Sequence, residues 1–134
     1  MKVVIDTNVF VSGVFFKGPP YEILKAWRAG GFELAISQEI FDEYQRVGDG
    51  LLDDYPSVDL QPALNFIKQN VDFITTKPLT ESVCSDPDDD KFIACALAAN
   101  SKIIISGDKH LLNVSGYQGI DVLKPRQFVD EHLA

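Results

Sequence analysis

The sequence feature that most constrains the fold is an apolar segment near the amino terminus that ends at a carboxylate. Val3, Val4 and Ile5 are β-branched and are followed directly by Asp6. β-branched residues favour strands, and an apolar run without polar alternation is typical of a strand covered on both faces of a parallel sheet. Ligands bind outside the carboxyl ends of such strands. The segment therefore predicts a buried strand with an acidic group at the functional edge of the sheet.

Further apolar segments alternate with helical patterns along the chain. Strands are predicted at residues 3–5, 32–36, 71–75, 102–106 and 120–123. Helices are predicted at residues 21–29, 38–47 with Gly48 as the C-cap, 60–69, 87–99, 109–112 and 125–132. This alternation predicts a single-domain α/β/α sandwich over residues 1–134 with a central, mostly parallel five-stranded sheet. The strands that begin at Val3 and Lys102 each end near a carboxylate, and we expect them to be neighbours at the switch point.

Composition and charge exclude several classes of protein. Hydrophobic residues make up 46% of the 134 residues, which suffices for a core, and no apolar run approaches the roughly 20 residues of a membrane span. Cys84 and Cys95 are too few for a disulfide framework and indicate reduced thiols in a cytoplasmic protein without a signal peptide. A net charge of −8 argues against electrostatic binding of nucleic acid, but it is compatible with an enzyme that acts on nucleic acid through a bound metal.

Four carboxylates are expected at the same edge of the sheet. Asp6 and Asp108 follow the first and fourth predicted strands, and Glu43 lies on the helix after the second strand. Asp90 lies at the start of the helix that precedes the fourth strand. Because helices in such folds run antiparallel to the strands they connect, both of these helices begin at the carboxyl edge. The topology therefore allows all four side chains on one rim.

A cluster of this kind needs compensation for its charge. Two carboxylates about 4 Å apart repel each other by roughly 4 kcal/mol at an effective dielectric constant near 20. Either some of them become protonated or a divalent cation binds among them. Oxygen ligands alone favour Mg²⁺ or Mn²⁺, and the matching chemistry is phosphodiester hydrolysis. The hydroxyls of Thr7 and Ser106 are expected to orient the carboxylates or a metal-bound water.

Several of the acidic residues have more ordinary interpretations. Asp88 and Asp89 compete with Asp90 for the third acidic position, although an acidic helix start is usually a solvated cap, with Asp86 as the capping residue. Glu39 and Asp42 are interpreted as surface residues, and His110 and His132 lack the spacing of a metal site.

Four segments together resemble a PIN domain, the small metal-dependent ribonuclease fold. They are residues 6–8 (Asp-Thr-Asn), 43–44 (Glu-Tyr), 88–94 and 106–112, and the resemblance depends on their order and spacing. The chain is most similar to the prokaryotic PIN proteins described as toxins of toxin–antitoxin pairs. That likeness rests on residues 12–13, 18–20 and 43–47.

The resemblance implies a function and a role for each matched residue. The four acids of the family correspond to Asp6, Glu43, Asp90 and Asp108, which would be the catalytic and metal-binding residues. Thr7 and Asn8 correspond to the supporting hydroxyl and amide, with Asn8 bracing the loop rather than holding metal. The implied activity is Mg²⁺- or Mn²⁺-dependent cleavage of single-stranded RNA. The implied partners are an antitoxin protein and further copies of the chain, in a homodimer or a higher homo-oligomer.

Two other functions stay open from the residues. A phosphoryl-transfer hydrolase with Asp6 as nucleophile usually has a second acid two positions later, where this chain has Asn8. A catalytically inert regulatory or binding module, such as a receiver-like domain, would need an acid after the third strand, where this chain has Thr75 and Thr76. For an RNA substrate, the candidate phosphate contacts are Lys17, Lys25, Arg28, Arg46 and Lys109.

Overall fold

A computed structural model describes residues 1–133 and shows a sheet of four parallel strands flanked by helices. The strands are β1 (Lys2–Ile5), β2 (Glu33–Leu34), β3 (Ile103–Ile105) and β4 (Asp121–Leu123). Their order across the sheet is β2-β1-β3-β4, with Val4 of β1 opposite Ile104 of β3. The chain leaves β1 first to one side and later to the other, so the switch point lies between β1 and β3. The predicted α/β class and this pairing of strands are confirmed.

Seven helices connect the strands and cover the sheet within residues 1–133. They are α1 (Thr7–Phe15), α2 (Pro19–Arg28), α3 (Gln38–Leu52), α4 (Gln61–Asn70), α5 (Asp90–Ala99), α6 (Lys109–Leu112) and α7 (Pro125–Phe128). Short 3₁₀ turns occur at Pro87–Asp89 and Tyr117–Gly119, and α7 continues as a π-helical turn, Val129–Leu133. In the described part of the chain, every helix is too short or too polar to span a bilayer.

The prediction of a strand at residues 71–75, and with it of a five-stranded sheet, is wrong. This segment makes a single parallel bridge, in which Ile74 lies opposite Ser37 and its N–H donates to the Ile36 carbonyl at 2.8 Å. It lies beyond β2, which is only two residues long and offers few backbone partners. Asp72 and Thr75 are exposed, so the segment is not covered as a central strand would be. The sheet therefore stops at β2.

The prediction that Gly48 ends the third helix is also wrong, because α3 continues through this residue to Leu52. Gly48 does not adopt the left-handed conformation of a C-cap glycine. It is buried instead, and a Cβ atom placed there would lie 2.5 Å from Cδ2 of Leu60. The glycine therefore lets the segment before α4 pack closely on α3.

The core surrounds the two central strands. Val3, Val4 and Ile5 have no exposed surface, and neither do Ile104 and Ile105. Both central strands are therefore covered on both faces, as the absence of polar alternation predicts. They form a rigid base for the side chains that follow Ile5 and Ile105 at the carboxyl edge.

A second glycine sets the distance between α1 and α2, and this gives a testable prediction. A Cβ atom on Gly13 would lie 2.7 Å from the backbone carbonyl oxygen of Pro20 and 2.7 Å from Cδ1 of Leu24. We expect Gly13→Ala to lower the free energy of unfolding by about 1–3 kcal/mol, because the backbone of α2 must move to accept the methyl group. Urea denaturation of the purified protein measures this change.

Gly50 is the matched control, because it also lies inside a helix but has no atom within 4 Å of a Cβ placed there. Gly50→Ala is expected to raise the free energy of unfolding by about 0.5–1 kcal/mol through the better helix propensity of alanine. Equal effects at the two glycines would contradict the close contact between α1 and α2.

Candidate active site

Asp6 connects the two central strands at their carboxyl ends. It follows β1 and caps α1, where its Oδ1 accepts the Val9 N–H at 3.0 Å. Its Oδ2 accepts the hydroxyl of Ser106, which follows β3. The side chain is only 4% exposed, and burial raises the pKa of this carboxyl despite the two hydrogen bonds. The nearby charges of Asp108 and Glu43 raise it further.

Tyr44 determines where Glu43 lies. The Tyr44 hydroxyl donates to the backbone carbonyl of Ile5, and its ring stacks on Phe10 with 4.1 Å between the ring centroids. This contact fixes α3 against the end of β1. The preceding residue, Glu43, consequently reaches the site, where its Oε1 accepts the hydroxyl of Thr7. Sequence reasoning matched Tyr44 to the family segment at residues 43–44 but did not predict this positioning role.

The other oxygen of Glu43 is paired with cations. Oε2 contacts the ammonium group of Lys91 and lies 3.6 Å from Nη2 of Arg46. Burial raises the pKa of Glu43, but the hydrogen bonds from Lys91 and Thr7 and the charges of Lys91 and Arg46 outweigh it and lower the pKa overall. Sequence reasoning missed Lys91. The available signal was its position at the start of an otherwise apolar helix. A lysine whose aliphatic chain is buried there needs an acidic partner for its ammonium group.

Asp108 lies at the start of α6, beside the end of β3. Its Oδ1 accepts the His110 N–H at 2.8 Å, and its own N–H donates to the Ser106 hydroxyl at 2.9 Å. Ser106 therefore bridges Asp6 and Asp108. Asn8, exposed at the start of α1, lines a shallow cavity of about 300 Å³ together with Asp108.

The carboxylate of Asp90 binds the segment that precedes it in the chain. It accepts the Cys84 N–H at 2.8 Å, the Ser82 hydroxyl at 2.9 Å and the Val83 N–H at 3.2 Å. Burial raises the pKa of Asp90, but these hydrogen bonds outweigh it and hold the pKa below its ordinary value. Asp90 thus fastens the segment of residues 82–84, and none of its hydrogen bonds within residues 1–133 joins it to Asp6, Glu43 or Asp108.

The neighbouring Asp89 lies in the electrostatic field of the cluster instead. Its Oδ2 is buried and has no hydrogen-bond partner within residues 1–133. Burial raises the pKa of Asp89 to about 6, with further contributions from the charges of Asp108 and Asp86. The alternative that the sequence left open, Asp89 in place of Asp90, stays a prediction, and the unpartnered oxygen of Asp89 is the observation that supports it.

The donor set suits a hard divalent cation, although no cage is preformed. Within residues 1–133, no three Asp, Glu, His or Cys side chains are close enough together to hold a metal ion by themselves. Mg²⁺ usually binds one or two carboxylates and completes its shell with water and substrate phosphate, so a sparse set is sufficient. The buried, unpartnered oxygen of Asp89 beside Asp108 is the feature that a cation would satisfy. Metal binding by these residues stays a prediction.

The structure also groups three of the five predicted phosphate contacts. Lys17, Lys25 and Arg28 line one groove of about 570 Å³ between α1, α2 and α4. Its aromatic lining residues are Phe10, Phe15, Phe16, Tyr21 and Trp27. Arg46 pairs with Glu43 instead, and Lys109 begins α6.

Both cysteines are free and buried, as expected for reduced thiols. Burial raises the pKa of Cys84 and of Cys95 to about 12. Because the thiolate is the reactive form, neither side chain is suited to nucleophilic catalysis at neutral pH.

Comparison with known proteins identifies one family. A family model described as PIN domain matches residues 2–110. The matched range includes β1, α3, α5 and β3, together with every acidic residue described above. A comparison with curated proteins gave no match.

Proposed function

Since the chain belongs to the PIN domain family, we propose that it is a metal-dependent endoribonuclease that cleaves single-stranded RNA. The family has a nuclease-type fold and typically uses divalent metals, and the acidic residues of this chain lie at the edge where such a fold binds ligands. The observation that carries the proposal is the buried, unpartnered oxygen of Asp89 in the field of Asp108 and Asp6.

Each side chain of the site would have a separate role. Asp89 and Asp108 would supply carboxylate oxygens to a Mg²⁺ or Mn²⁺ ion, with water and substrate phosphate completing its shell. Asp6, whose carboxylate is held by Ser106 and the Val9 N–H, would add its negative charge nearby. Such an ion, when bound, activates water and stabilises the leaving oxygen of a phosphodiester. Thr7 fixes the orientation of Glu43 at the rim of the same site.

The basic and aromatic residues on the surface of the protein suit single-stranded RNA as the substrate. The chain carries a net charge of −8, so RNA needs a local positive path. The groove containing Lys17, Lys25 and Arg28 offers such a path next to exposed aromatic surface, in which Phe16 is 44% exposed. Aromatic side chains stack on the bases of single strands without regard to sequence.

The alternative functions fit the site less well. An aspartyl nucleophile must reach the phosphorus atom, but both oxygens of Asp6 accept hydrogen bonds and the side chain is almost completely buried. An inert binding module of the same fold would have no use for a buried carboxylate without a partner, which costs free energy. The unpartnered oxygen of Asp89 therefore favours an active site.

The test is RNA cleavage with controlled metal content. We expect the purified protein to cut single-stranded RNA with Mn²⁺ or Mg²⁺, to lose activity in excess chelator and to regain it when the ion is restored, because the acids are expected to act through the cation. Gel analysis of an end-labelled oligonucleotide measures this, with a duplex of the same sequence as control. Cleavage that continues undiminished in chelator would contradict the proposal.

The resemblance to toxins extends the proposal to a biological role. We expect the protein to cleave RNA in the cytoplasm and to be restrained by an antitoxin, and copies of the chain are expected to assemble into homodimers or higher homo-oligomers. Induced expression of the wild type without the antitoxin should then arrest growth. Expression of an Asp6→Asn variant should not, because its RNA cleavage is expected to be strongly reduced. Culture density after induction measures this, and normal growth with active enzyme would exclude the toxin role.

A further inference from the structure

The ammonium group of a lysine lies at the acidic site. The side chain of Lys91 is only 8% exposed and its ammonium contacts Oε2 of Glu43, which is 16% exposed. Arg46 lies 3.6 Å from the same oxygen, but its side chain is 74% exposed and screened by water. The Lys91–Glu43 pair is therefore the shielded ion pair of the site.

Both oxygens of Glu43 are engaged in this arrangement. Oε1 accepts the Thr7 hydroxyl and Oε2 contacts Lys91. A metal ion at Glu43 would have to displace one of these partners, and displacing Lys91 would leave a buried ammonium without a counter-charge. Breaking a partly buried pair in this way is unfavourable, because the lysine loses its shielded counter-charge. Glu43 is consequently a poor metal ligand as long as Lys91 is present.

The remaining acids have no comparable cation. Within residues 1–133, no lysine or arginine lies within ion-pair distance of Asp6, Asp89 or Asp108. The site is thus divided into a half that is already neutralised by Lys91 and a half that is still negative. Two-metal nucleases need free carboxylate oxygens for two cations about 3.5–4 Å apart, and this site offers them on one side only.

We propose that the ammonium group of Lys91 takes the place of a second metal ion, so that the site binds one divalent cation on the side of Asp89 and Asp108. Lys91 is then a positioning residue that fixes Glu43 and supplies a constant positive charge at the rim. This inference rests on the proposed nuclease function, since it specifies how the same site is charged. In this arrangement Glu43 pairs with Lys91 and is not a metal ligand.

The test counts metal ions in the absence of RNA. Mn²⁺ binding is followed by the loss of the free-ion signal in electron paramagnetic resonance, with calorimetry as a second measurement. We expect one Mn²⁺ per chain for the wild type and for Lys91→Arg, and two for Lys91→Met, in which Glu43 loses its shielded cation and keeps only the exposed Arg46. The double variant Glu43→Gln/Lys91→Met should again bind one ion, because neither the lysine nor the extra carboxylate remains.

Lys109→Met is the matched control, since it removes the same charge from an exposed residue adjacent to Asp108. It should bind one ion, and a second ion in this variant would show a general charge effect and overturn the inference. Two ions in the wild type, or one ion with unchanged affinity in Lys91→Met, would also overturn it. The absence of any bound ion in the wild type would instead contradict the proposed metal-dependent function itself.

Thermal unfolding separates this role from a purely structural ion pair. In chelator, Lys91→Met is expected to unfold at a lower temperature than the wild type, because the partly buried Glu43 loses its shielded partner. Excess Mn²⁺ should raise the midpoint of this variant more than that of the wild type, because ions that bind only the folded state stabilise it. An equal rise in both proteins would indicate an ion pair without influence on metal binding.

Discussion

Replacement of Asp6 by Asn is expected to reduce Mn²⁺-dependent RNA cleavage by about a hundredfold to a thousandfold, the loss typical of removing one group that stabilises the transition state. The protein should nevertheless fold normally. The Asn oxygen can still accept the Val9 N–H, and its amide can donate to the Ser106 oxygen in place of the present contact. Rates measured under single-turnover conditions, together with circular dichroism, test both statements.

The same variant should be at least as stable as the wild type at neutral pH when metal is absent. Burial raises the pKa of Asp6 above its ordinary value of 3.8, so the folded protein favours the protonated form. The resulting stabilisation is fully present below pH 3.8 and is lost as the pH rises through the raised pKa. Urea denaturation in chelator should therefore show the advantage of Asp6→Asn at pH 7 and its decrease at acidic pH.

Asp89 and Asp90 provide an internal comparison for the loss of activity. Asp89→Asn should also impair cleavage, because this side chain lies in the field of Asp108. Asp90→Asn should mainly destabilise the segment that Asp90 holds through Ser82 and Cys84, with a smaller effect on cleavage. Inactive Asp90→Asn beside fully active Asp89→Asn would restore Asp90 as the third acid of the site.

Replacement of Tyr44 by Ala is expected to lower the free energy of unfolding by about 3–5 kcal/mol, the usual cost of deleting a fully buried aromatic ring. Tyr44 has no exposed surface and stacks on Phe10. Tyr44→Phe keeps the ring but leaves the Ile5 carbonyl without its side-chain donor, which should cost about 1–2 kcal/mol. Both variants should also slow RNA cleavage, because Tyr44 fixes the part of α3 that carries Glu43. Denaturant unfolding and cleavage rates measure the two effects.

Tyr55 is the matched control for the hydroxyl group. It is 41% exposed, so Tyr55→Phe should change the free energy of unfolding by less than about 0.5 kcal/mol. If Tyr44→Phe behaves like Tyr55→Phe, the hydrogen bond to Ile5 contributes little. Unchanged cleavage by Tyr44→Phe at full stability would show that Glu43 does not depend on this contact.

Local patterns in the sequence were sufficient for the class of fold and for the edge of the sheet that carries the acids. The apolar segments before Asp6 and Ser106 predict adjacent parallel strands, and β1 and β3 pair as expected. The pattern failed at residues 71–75, because a strand also needs a partner along its length and β2 is too short to provide one. It failed at Gly48, because close packing on Leu60 rather than a turn accounts for that glycine.

The sequence by itself determined the alternation of strands and helices and the acidic residues that follow β1 and β3, because both depend on the chemistry of neighbouring residues. Only the tertiary structure decided that Asp89 has a buried oxygen without a partner while Asp90 holds residues 82–84, because one residue along a helical turn rotates a side chain by about 100°. It alone decided that Lys91 neutralises Glu43, since these residues are separated by 48 positions in the chain. Contacts between distant segments depend on how the elements pack, and no local pattern contains that information.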